Sequence, residues 1–163
     1  MPVVSDTSPI LGLAAIGHLE LLHQQFGAVL ISSAVLAELK TESDFRGTIL
    51  IRKALKDGWL GSCEVQNIHL VQSLAFELDP GEAQAIALAI ELGVQILIMD
   101  EYDGRAKSRA FGLKPVGILG ILLRAKKEGQ IESLKEAMQA LRREIGFFIS
   151  NDLYQEILKQ ANE

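Results

Sequence analysis

Cysteine is nearly absent from this chain, which has a single residue of that type, Cys63, among its 163 residues. One cysteine cannot form an internal disulfide and offers no partner for a structural zinc ion. The sequence also lacks an apolar run long enough to span a bilayer, and no signal peptide precedes the first predicted strand. We therefore expect a cytoplasmic protein with no membrane segment.

Net positive charge is also missing, because 16 lysines and arginines face 21 aspartates and glutamates and leave a net charge of -5. A protein that binds nucleic acid tightly without a cofactor usually presents a basic surface. The charge balance weakens the case for a nucleic-acid substrate. It does not exclude one, because several of the acids can be concentrated in one metal pocket.

Several common catalytic patterns are absent as well. The three histidines have neither cysteine partners nor metal-ligand spacing. Cys63 has no base nearby in sequence, and Ser5 and Ser8 lie in no nucleophile-elbow pattern. The stretch 117–120 lacks the third glycine and the downstream acid of a dinucleotide-binding fingerprint, so we interpret its glycines as close packing.

Strand and helix signals alternate along the chain, and apolar residues make up 48% of it. This alternation is typical of an α/β fold in which helices cover both faces of a parallel sheet. No repeat or linker interrupts the series, so we expect a single domain over residues 1–163. The last third predicts three helices, around 118–128, 132–145 and 151–160.

The first strand leads into a helix for which Thr7 or Ser8 is the expected cap and Pro9 the first helical residue. Glycines at positions 12 and 17 are expected to break this helix. Further along, we predict a helix within Thr41–Gly61 that carries Phe45, and a short strand at Val65–Ile68. The clearest unit is a helix from Ala83 to Leu92 followed by a strand from Val94 to Met99.

Two aspartates each follow a predicted buried strand. Asp6 comes after Val3-Val4-Ser5, and Asp100 comes after Ile96-Leu97-Ile98-Met99. Ligands of open parallel sheets bind outside the carboxyl ends of the strands, so these two side chains can converge although they are far apart in sequence. Convergent carboxylates are what a hard divalent cation requires.

Other roles are open for each acid taken alone. Asp6 also fits a helix cap or an Asx-turn. Asp79 and Glu82 have the spacing of a capping box, and spacing alone favours that structural role for Glu82. Glu38 lies at the border of an apolar stripe, where an exposed glutamate is common. The combination of acids, and no single one of them, suggests a site.

The turn after Asp100 is crowded with negative charge, since Glu101 and Asp103 follow at once. Like charges at short range repel by on the order of a few kcal/mol at an effective dielectric constant near 20. A bound cation would relieve this repulsion, and so would solvated side chains that point apart. Which of Glu101 and Asp103 faces a pocket is left open by the sequence.

The four acids, in this order and on these elements, resemble the PIN-domain nucleases, metal-dependent ribonucleases that include VapC-type toxins. The resemblance covers nearly the whole chain. It is carried by Val4-Ser5-Asp6-Thr7-Ser8, Val35-Leu36-Ala37-Glu38-Leu39, Asp79-Pro80-Gly81-Glu82-Ala83 and Ile98-Met99-Asp100-Glu101. Gly104-Arg105 and the stretch 117–122 are similar to an uncharacterised prokaryotic PIN subgroup. The chain departs from that subgroup at Glu101, where a second aspartate is frequent, and at Ile118, where a threonine is frequent.

The resemblance implies a three-layer α/β/α fold with a central parallel sheet, to which residues 146–163 add a C-terminal helical extension. It implies Mg²⁺- or Mn²⁺-dependent endoribonuclease activity that leaves 5′-phosphate and 3′-hydroxyl ends. The implied catalytic and metal-binding residues are Asp6, Glu38, Glu82 and Asp100, with Glu101 or Asp103 as a further metal ligand. The expected contacts to RNA are Thr7, Ser8, Arg105 and Arg109. For the two arginines, a solvated helix face is the alternative.

Two partners besides RNA are expected. The last third carries apolar residues beyond what one small sheet needs, which favours a two-fold homodimer: Ile121, Leu122, Phe147, Phe148, Ile149 and Leu153. The resemblance to toxins adds a small antitoxin that blocks the acidic pocket with a basic side chain. The rival hypotheses are a non-catalytic PIN-fold module that binds RNA or protein, and a phosphohydrolase, whose usual Asp-x-Asp nucleophile pattern is absent at Asp6-Thr7-Ser8.

Overall fold

A five-stranded, all-parallel sheet forms the centre of the protein, in the strand order β3-β2-β1-β4-β5. The structure is a computed structural model that describes residues 2–41 and 47–163, with only the backbone of residue 41. The strands are β1 Val3–Ser5, β2 Val29–Ser32, β3 Leu60–Cys63, β4 Ile96–Ile98 and β5 Lys114–Val116. The predicted helix position Phe45 lies outside the described residues.

Helices connect the strands and cover both faces of the sheet. Their bounds are α1 Thr7–Ala15, α2 Glu20–Phe26, α3 Ser33–Thr41, α4 Thr48–Asp57, α5 Ile68–Leu74, α6 Pro80–Leu92, α7 Tyr102–Ala110, α8 Ile118–Lys127, α9 Leu134–Ile145 and α10 Asn151–Gln160. None of the helices in the described part of the chain is long and apolar enough to cross a membrane.

Successive residues of each strand face opposite layers, because side chains alternate along a strand. Val3 packs in a core with α1, α2, α4, α8, α9 and α10. Its neighbour Val4 packs in a second core with α5 and α6. This is the three-layer α/β/α arrangement with a parallel sheet that the sequence predicts.

The sheet has a switch point between β1 and β4. The chain leaves β1 toward β2 on one side, whereas β4 pairs with β1 on the other side and continues to β5. Connections therefore diverge on either side of this strand pair, and a crevice opens at the carboxyl ends of the two strands. The sheet thus places its natural ligand site directly after Ser5 and Ile98.

The start of α1 differs from the sequence-based expectation. The helix begins at Thr7, so that Asp6 occupies the cap position with extended backbone and Pro9 is the third helical residue. The Asp6 carboxylate makes no capping hydrogen bond to the described residues of this helix. Proline is tolerated throughout the first turn because its missing N–H would have no helical partner there.

The expected break at Gly12 is wrong, because α1 runs through it. A Cβ atom at this position would lie 2.8 Å from Ile118 Cδ1, so the glycine allows α1 and α8 to pack closely. Gly17 does lie in a turn after the helix, with φ of +78°, a conformation that residues with a side chain rarely adopt.

The predicted strand at Val65–Ile68 is also wrong. The strand β3 lies earlier and pairs with β2, and Ile68 instead begins α5. Asn67 caps that helix by accepting a hydrogen bond from Leu70 N at 3.1 Å. The sequence Leu60-Gly61-Ser62-Cys63 escaped detection because an edge strand with glycine and serine shows no run of apolar residues.

The apolar residues of the last third belong mainly to the chain's own core. Ile121, Leu122 and Ile149 are buried there, where α9 packs against both α1 and α8. Phe147 is partly buried against the same core, and Phe148 and Leu153 remain exposed. The sequence-based reason for a homodimer is therefore wrong for the three buried residues and is reduced to the exposed pair.

Candidate functional site

Asp6 and Asp100 both lie at the switch point of the sheet. The backbone N–H of Asp6 donates to the carbonyl oxygen of Ile98 at 2.9 Å, which ties the end of β1 to the end of β4. Asp100 follows Ile98 by two residues. The structure therefore brings to one edge two segments that are more than ninety residues apart, as the strand pattern predicts.

Asp6 directly follows β1 and is buried, with only 5% of the residue exposed. Burial raises its pKa to about 7, against an opposing effect of the Thr7 backbone N–H. The carboxylates of Asp79, Glu82 and Glu38 raise the pKa further. The side-chain charges that act on Asp6 among the described residues are thus all negative, an environment that favours a proton or a bound cation.

Glu82 and Asp79 form the capping box that their spacing predicts. Asp79 Oδ1 accepts from Glu82 N at 2.8 Å, and Glu82 Oε2 accepts from Asp79 N at 3.1 Å. Glu82 is nevertheless only 7% exposed, and burial raises its pKa, as do the charges of Asp79, Glu101 and Asp103. The structural role therefore holds Glu82 in place without neutralising it.

Glu38 reaches the same end of α6 from the neighbouring helix α3. A Cβ atom at Gly81 would lie 2.6 Å from Glu38 Oε1 and 3.3 Å from its Oε2. Only a residue without a side chain leaves room for this carboxylate beside the first turn of α6. Gly81 thus allows Glu38 to lie beside the start of α6, and the charge of Glu38 acts on Asp6.

Asp100 has a more complete set of partners. Its Oδ1 accepts a hydrogen bond from Ile118 N, at the start of α8, at 2.8 Å. Burial raises the pKa of Asp100 to about 6, while the Ile118 N–H and the Arg105 guanidinium oppose that rise and Glu101 adds to it. Asp100 therefore has two favourable partners, the backbone N–H at the start of α8 and the guanidinium of Arg105.

Arg105 is positioned by its own helix. Gly104 packs against the sulfur of Met99 and brings α7 close to the sheet. Arg105 Nη1 donates to the Met99 carbonyl oxygen at 2.9 Å. A Cβ atom at Gly117 would lie 2.9 Å from Asp100 Oδ1 and 3.1 Å from Arg105 Nη1, so this glycine makes room for the pair.

The other predicted site residues lie around these two groups. Glu101 and Asp103 are exposed at the start of α7; both raise the pKa of Glu82, and Glu101 also acts on Asp100. Thr7 is buried, and its Oγ1 has no hydrogen-bond partner among the described residues, whereas Ser8 is exposed. Arg109 is exposed one turn after Arg105.

A family comparison agrees with this geometry. The family model DUF3368, described as a PIN domain, matches residues 2–163. The chain belongs to the PIN-domain family. Searches of curated proteins and of solved structures gave no significant match. PIN domains are generally nucleases and typically use divalent metal ions.

The donors of this PIN domain suit a hard cation in type and charge. They are carboxylate oxygens, with the orphaned Thr7 hydroxyl beside Asp6, and oxygen is the ligand that Mg²⁺ and Mn²⁺ prefer. In the described part of the chain, no three His, Cys, Asp or Glu side chains are already arranged as a closed metal site.

Sequence reasoning missed two features of this PIN domain. Asp79 was predicted only as part of a capping box, yet its negative charge also raises the pKa of Asp6. The hydrogen bond from Ile118 N to Asp100 was also missed. Of the two glycines predicted to allow close packing, Gly117 does so, whereas a Cβ atom at Gly120 would meet only Val116 Cγ1, at an ordinary 3.8 Å. A helix start beside a buried aspartate is the signal that could have revealed this bond.

Proposed function

We propose that this PIN domain is a Mg²⁺- or Mn²⁺-dependent endoribonuclease whose site consists of Asp6, Glu38, Glu82 and Asp100. The observation that carries the proposal is the environment of Asp6, which is buried, and the side chains named as acting on its pKa among the described residues are the carboxylates of Asp79, Glu82 and Glu38. Such an arrangement is costly unless a ligand of opposite charge binds there.

Each of these residues has its own role in the proposed site. Asp6 and Asp100 are the direct ligands at the switch point, Glu82 is held by its capping box, and Glu38 binds directly or through water. A divalent cation there supplies a Lewis acid for the phosphodiester and lowers the pKa of the attacking water. Glu101, which acts on both Glu82 and Asp100, is favoured over Asp103 as the further ligand.

Substrate contacts come from side chains around the acids. Arg105 lies next to Asp100, and its hydrogen bond to Met99 uses only Nη1 of the guanidinium. A guanidinium carries five N–H donors, so the others can bind a phosphate near the acids. Arg109 extends this positive side of α7. Thr7 supplies a hydroxyl beside Asp6, and Ser8 a second, exposed one. Products with 5′-phosphate and 3′-hydroxyl ends belong to the same proposal.

Cleavage assays test this function directly. Purified protein should cut single-stranded RNA with Mg²⁺ or Mn²⁺ and stop on addition of a chelator. Asp6→Asn and Asp100→Asn should each lower the rate by orders of magnitude, because each removes a ligand. Asp57→Asn is the matched control, since Asp57 is an exposed carboxylate paired with Lys53 on α4. Activity that survives in both site variants would refute the assignment.

A non-catalytic PIN module that binds RNA or protein is the second candidate. It is favoured by the lack of a closed metal group in the described residues and by the contact of Asp100 with Arg105. Binding of RNA without any cleavage in either metal would support it. Small phosphate esters, assayed beside the RNAs, separate both candidates from a phosphohydrolase.

The proposed setting is the cytoplasm, where the domain acts alone or as the toxin of a toxin–antitoxin pair. A small antitoxin would insert a basic side chain among the acids. Co-purification of a small protein encoded beside this one tests that partner. A two-fold homodimer is the proposed assembly, and light scattering at micromolar concentration tests it.

A further inference from the structure

A groove of about 580 Å³ runs from the candidate site along the C-terminal helices. Its floor and walls come from α8, α10 and the segment that joins α9 to α10. Among the residues that line it are Leu119, Leu123, Phe148 and Leu153, with Asp100 and Arg105 at one end. The groove is therefore continuous with the acidic site through Asp100.

The composition of the groove suits a flat, aromatic ligand with a negative charge attached. Ligand pockets are typically about 300 to 1,000 Å³ in volume and mostly apolar, with a few polar groups that fix orientation. Arg105 is the one cation among the described lining residues. Phe148 is 85% exposed, so one face of its ring is open to a stacking partner.

The overall charge of the chain also calls for such a contact. A net charge of -5 leaves little attraction for a phosphate backbone. Proteins that bind single strands combine backbone contacts with bases stacked on aromatic rings. Where the net charge of the chain is negative, stacking can supply a larger share of the binding free energy.

We propose that this groove is a nucleobase subsite for single-stranded RNA. The base of a nucleotide next to the cleaved phosphodiester lies against Phe148, between Leu119 and Leu153, and its phosphate is bound by Arg105. The proposal rests on the proposed ribonuclease function. It adds that the C-terminal helices select unpaired RNA, since a base has to leave its duplex stack before it can lie against Phe148.

Binding can be measured apart from cleavage. We would use the Asp6→Asn protein with Mg²⁺ and a fluorescently labelled single-stranded RNA, and follow anisotropy. Adding Phe148→Ala should raise the Kd roughly fivefold to tenfold, the lower range for loss of a stacked base. Phe111→Ala is the matched control, because Phe111 is an exposed phenylalanine at the far end of α7, and it should leave the Kd unchanged.

A second variant fills the groove without removing a contact. Gly120 lines the groove on α8, and a Cβ atom there meets only Val116 Cγ1, at 3.8 Å. Gly120→Leu should therefore fold normally and weaken RNA binding by a similar factor. A third test uses a series of RNAs, each with one abasic nucleotide at a different position. One of these RNAs should bind less tightly than the intact RNA to the protein with Phe148 and Gly120 unchanged. The same RNA should bind the Phe148→Ala variant as tightly as the intact RNA does.

Three results would overturn the subsite. Unchanged RNA affinity in both Phe148→Ala and Gly120→Leu would do so while leaving the ribonuclease intact. Unchanged affinity together with a shift from dimer to monomer in light scattering would reassign the groove to contact with a second copy. Failure of the wild-type protein both to bind and to cut RNA would remove the proposed function and the subsite together.

Discussion

The two halves of the candidate site differ in how their carboxylates are balanced. Asp100 accepts a hydrogen bond from the start of α8 and lies beside Arg105. Asp6 lies more deeply, beside Asp79, Glu82 and Glu38, and the Thr7 N–H is the described group that opposes its rise in pKa. Both side chains follow parallel strands at the same edge and both have a raised pKa, yet only Asp100 has a side-chain cation, Arg105, among the described groups that act on it.

This difference indicates where a cation would contribute most. In the Asp100 half the fold already supplies positive partners, so binding there mainly positions a ligand. In the Asp6 half the fold has buried negative charge that only a proton or a cation can balance. The site is therefore asymmetric, with the stronger demand for a metal on the Asp6 side.

The pH dependence of stability should expose the asymmetry most strongly. The pKa of Asp6 is raised from 3.8 to about 7 on folding, so the folded protein binds that proton more tightly. Stability of the metal-free protein should then fall as pH rises from about 4 to 7, by on the order of a few kcal/mol. Denaturant unfolding in chelator at several pH values measures this.

Substitution separates the two halves in that experiment. Asp6→Asn should remove most of the pH dependence of the unfolding free energy. Asp100→Asn should remove a smaller part, the loss of stability between about pH 4 and pH 6, because the pKa of Asp100 is raised to about 6. Both variants should be at least as stable as wild type at pH 8 without metal. Stability of the metal-free wild type that rises between pH 4 and 7 would contradict the account.

Metal should stabilise the protein by a similar amount. At a free Mn²⁺ concentration one hundred times the Kd, binding to the folded state adds about 2.7 kcal/mol. Thermal unfolding with and without Mn²⁺ should show a higher melting temperature that is lost in Asp6→Asn and in Asp100→Asn. The Asp57→Asn control should keep the full shift, and equal shifts in all four proteins would place the metal elsewhere.

Arg105 offers a smaller and more selective effect. Arg105→Ala should weaken RNA binding about tenfold and reduce the slope of log affinity against log salt by about one, because one phosphate contact is lost. It should also raise the pKa of Asp100, whose charge Arg105 favours. Arg109→Ala, one turn away and exposed, serves for comparison and should change binding less.

The smallest expected difference lies between Glu101 and Asp103. Glu101 acts on both halves, through Glu82 and Asp100, whereas Asp103 acts on Glu82. Glu101→Gln should therefore weaken Mn²⁺ binding severalfold and Asp103→Asn less, as measured by calorimetric titration. A larger loss in Asp103→Asn would exchange their roles.

The sequence predicted those parts of the site that depend on strand order and on local spacing. Asp6 and Asp100 could be placed at one edge because parallel strands end at the same edge, and the capping box of Asp79 and Glu82 follows from spacing alone. The sequence could not show that Glu82 is buried as well as capped, because burial depends on how α6 packs against its neighbours.

Close approaches between distant elements could not be predicted either. Gly81 makes room for Glu38, and Gly117 makes room for Asp100 and Arg105. Each of these close approaches depends on how separate elements are positioned relative to each other. The periodicity of residues along one helix carries no information about that position. The same limit explains the dimer hypothesis, since Ile121, Leu122 and Ile149 looked surplus until the packing of α8, α9 and α10 was known.

The central claim, which belongs to the proposed function, is that a divalent-cation site with one ion or two unites the two halves. The most direct test is a crystal of this protein soaked in Mn²⁺, with the metal located by anomalous scattering and each occupied position counted. The account predicts occupancy at the carboxyl ends of β1 and β4, with ligands from both Asp6 and Asp100. No metal at this edge, or metal bound by Asp100 while Asp6 stays protonated and unliganded above pH 8, would contradict it.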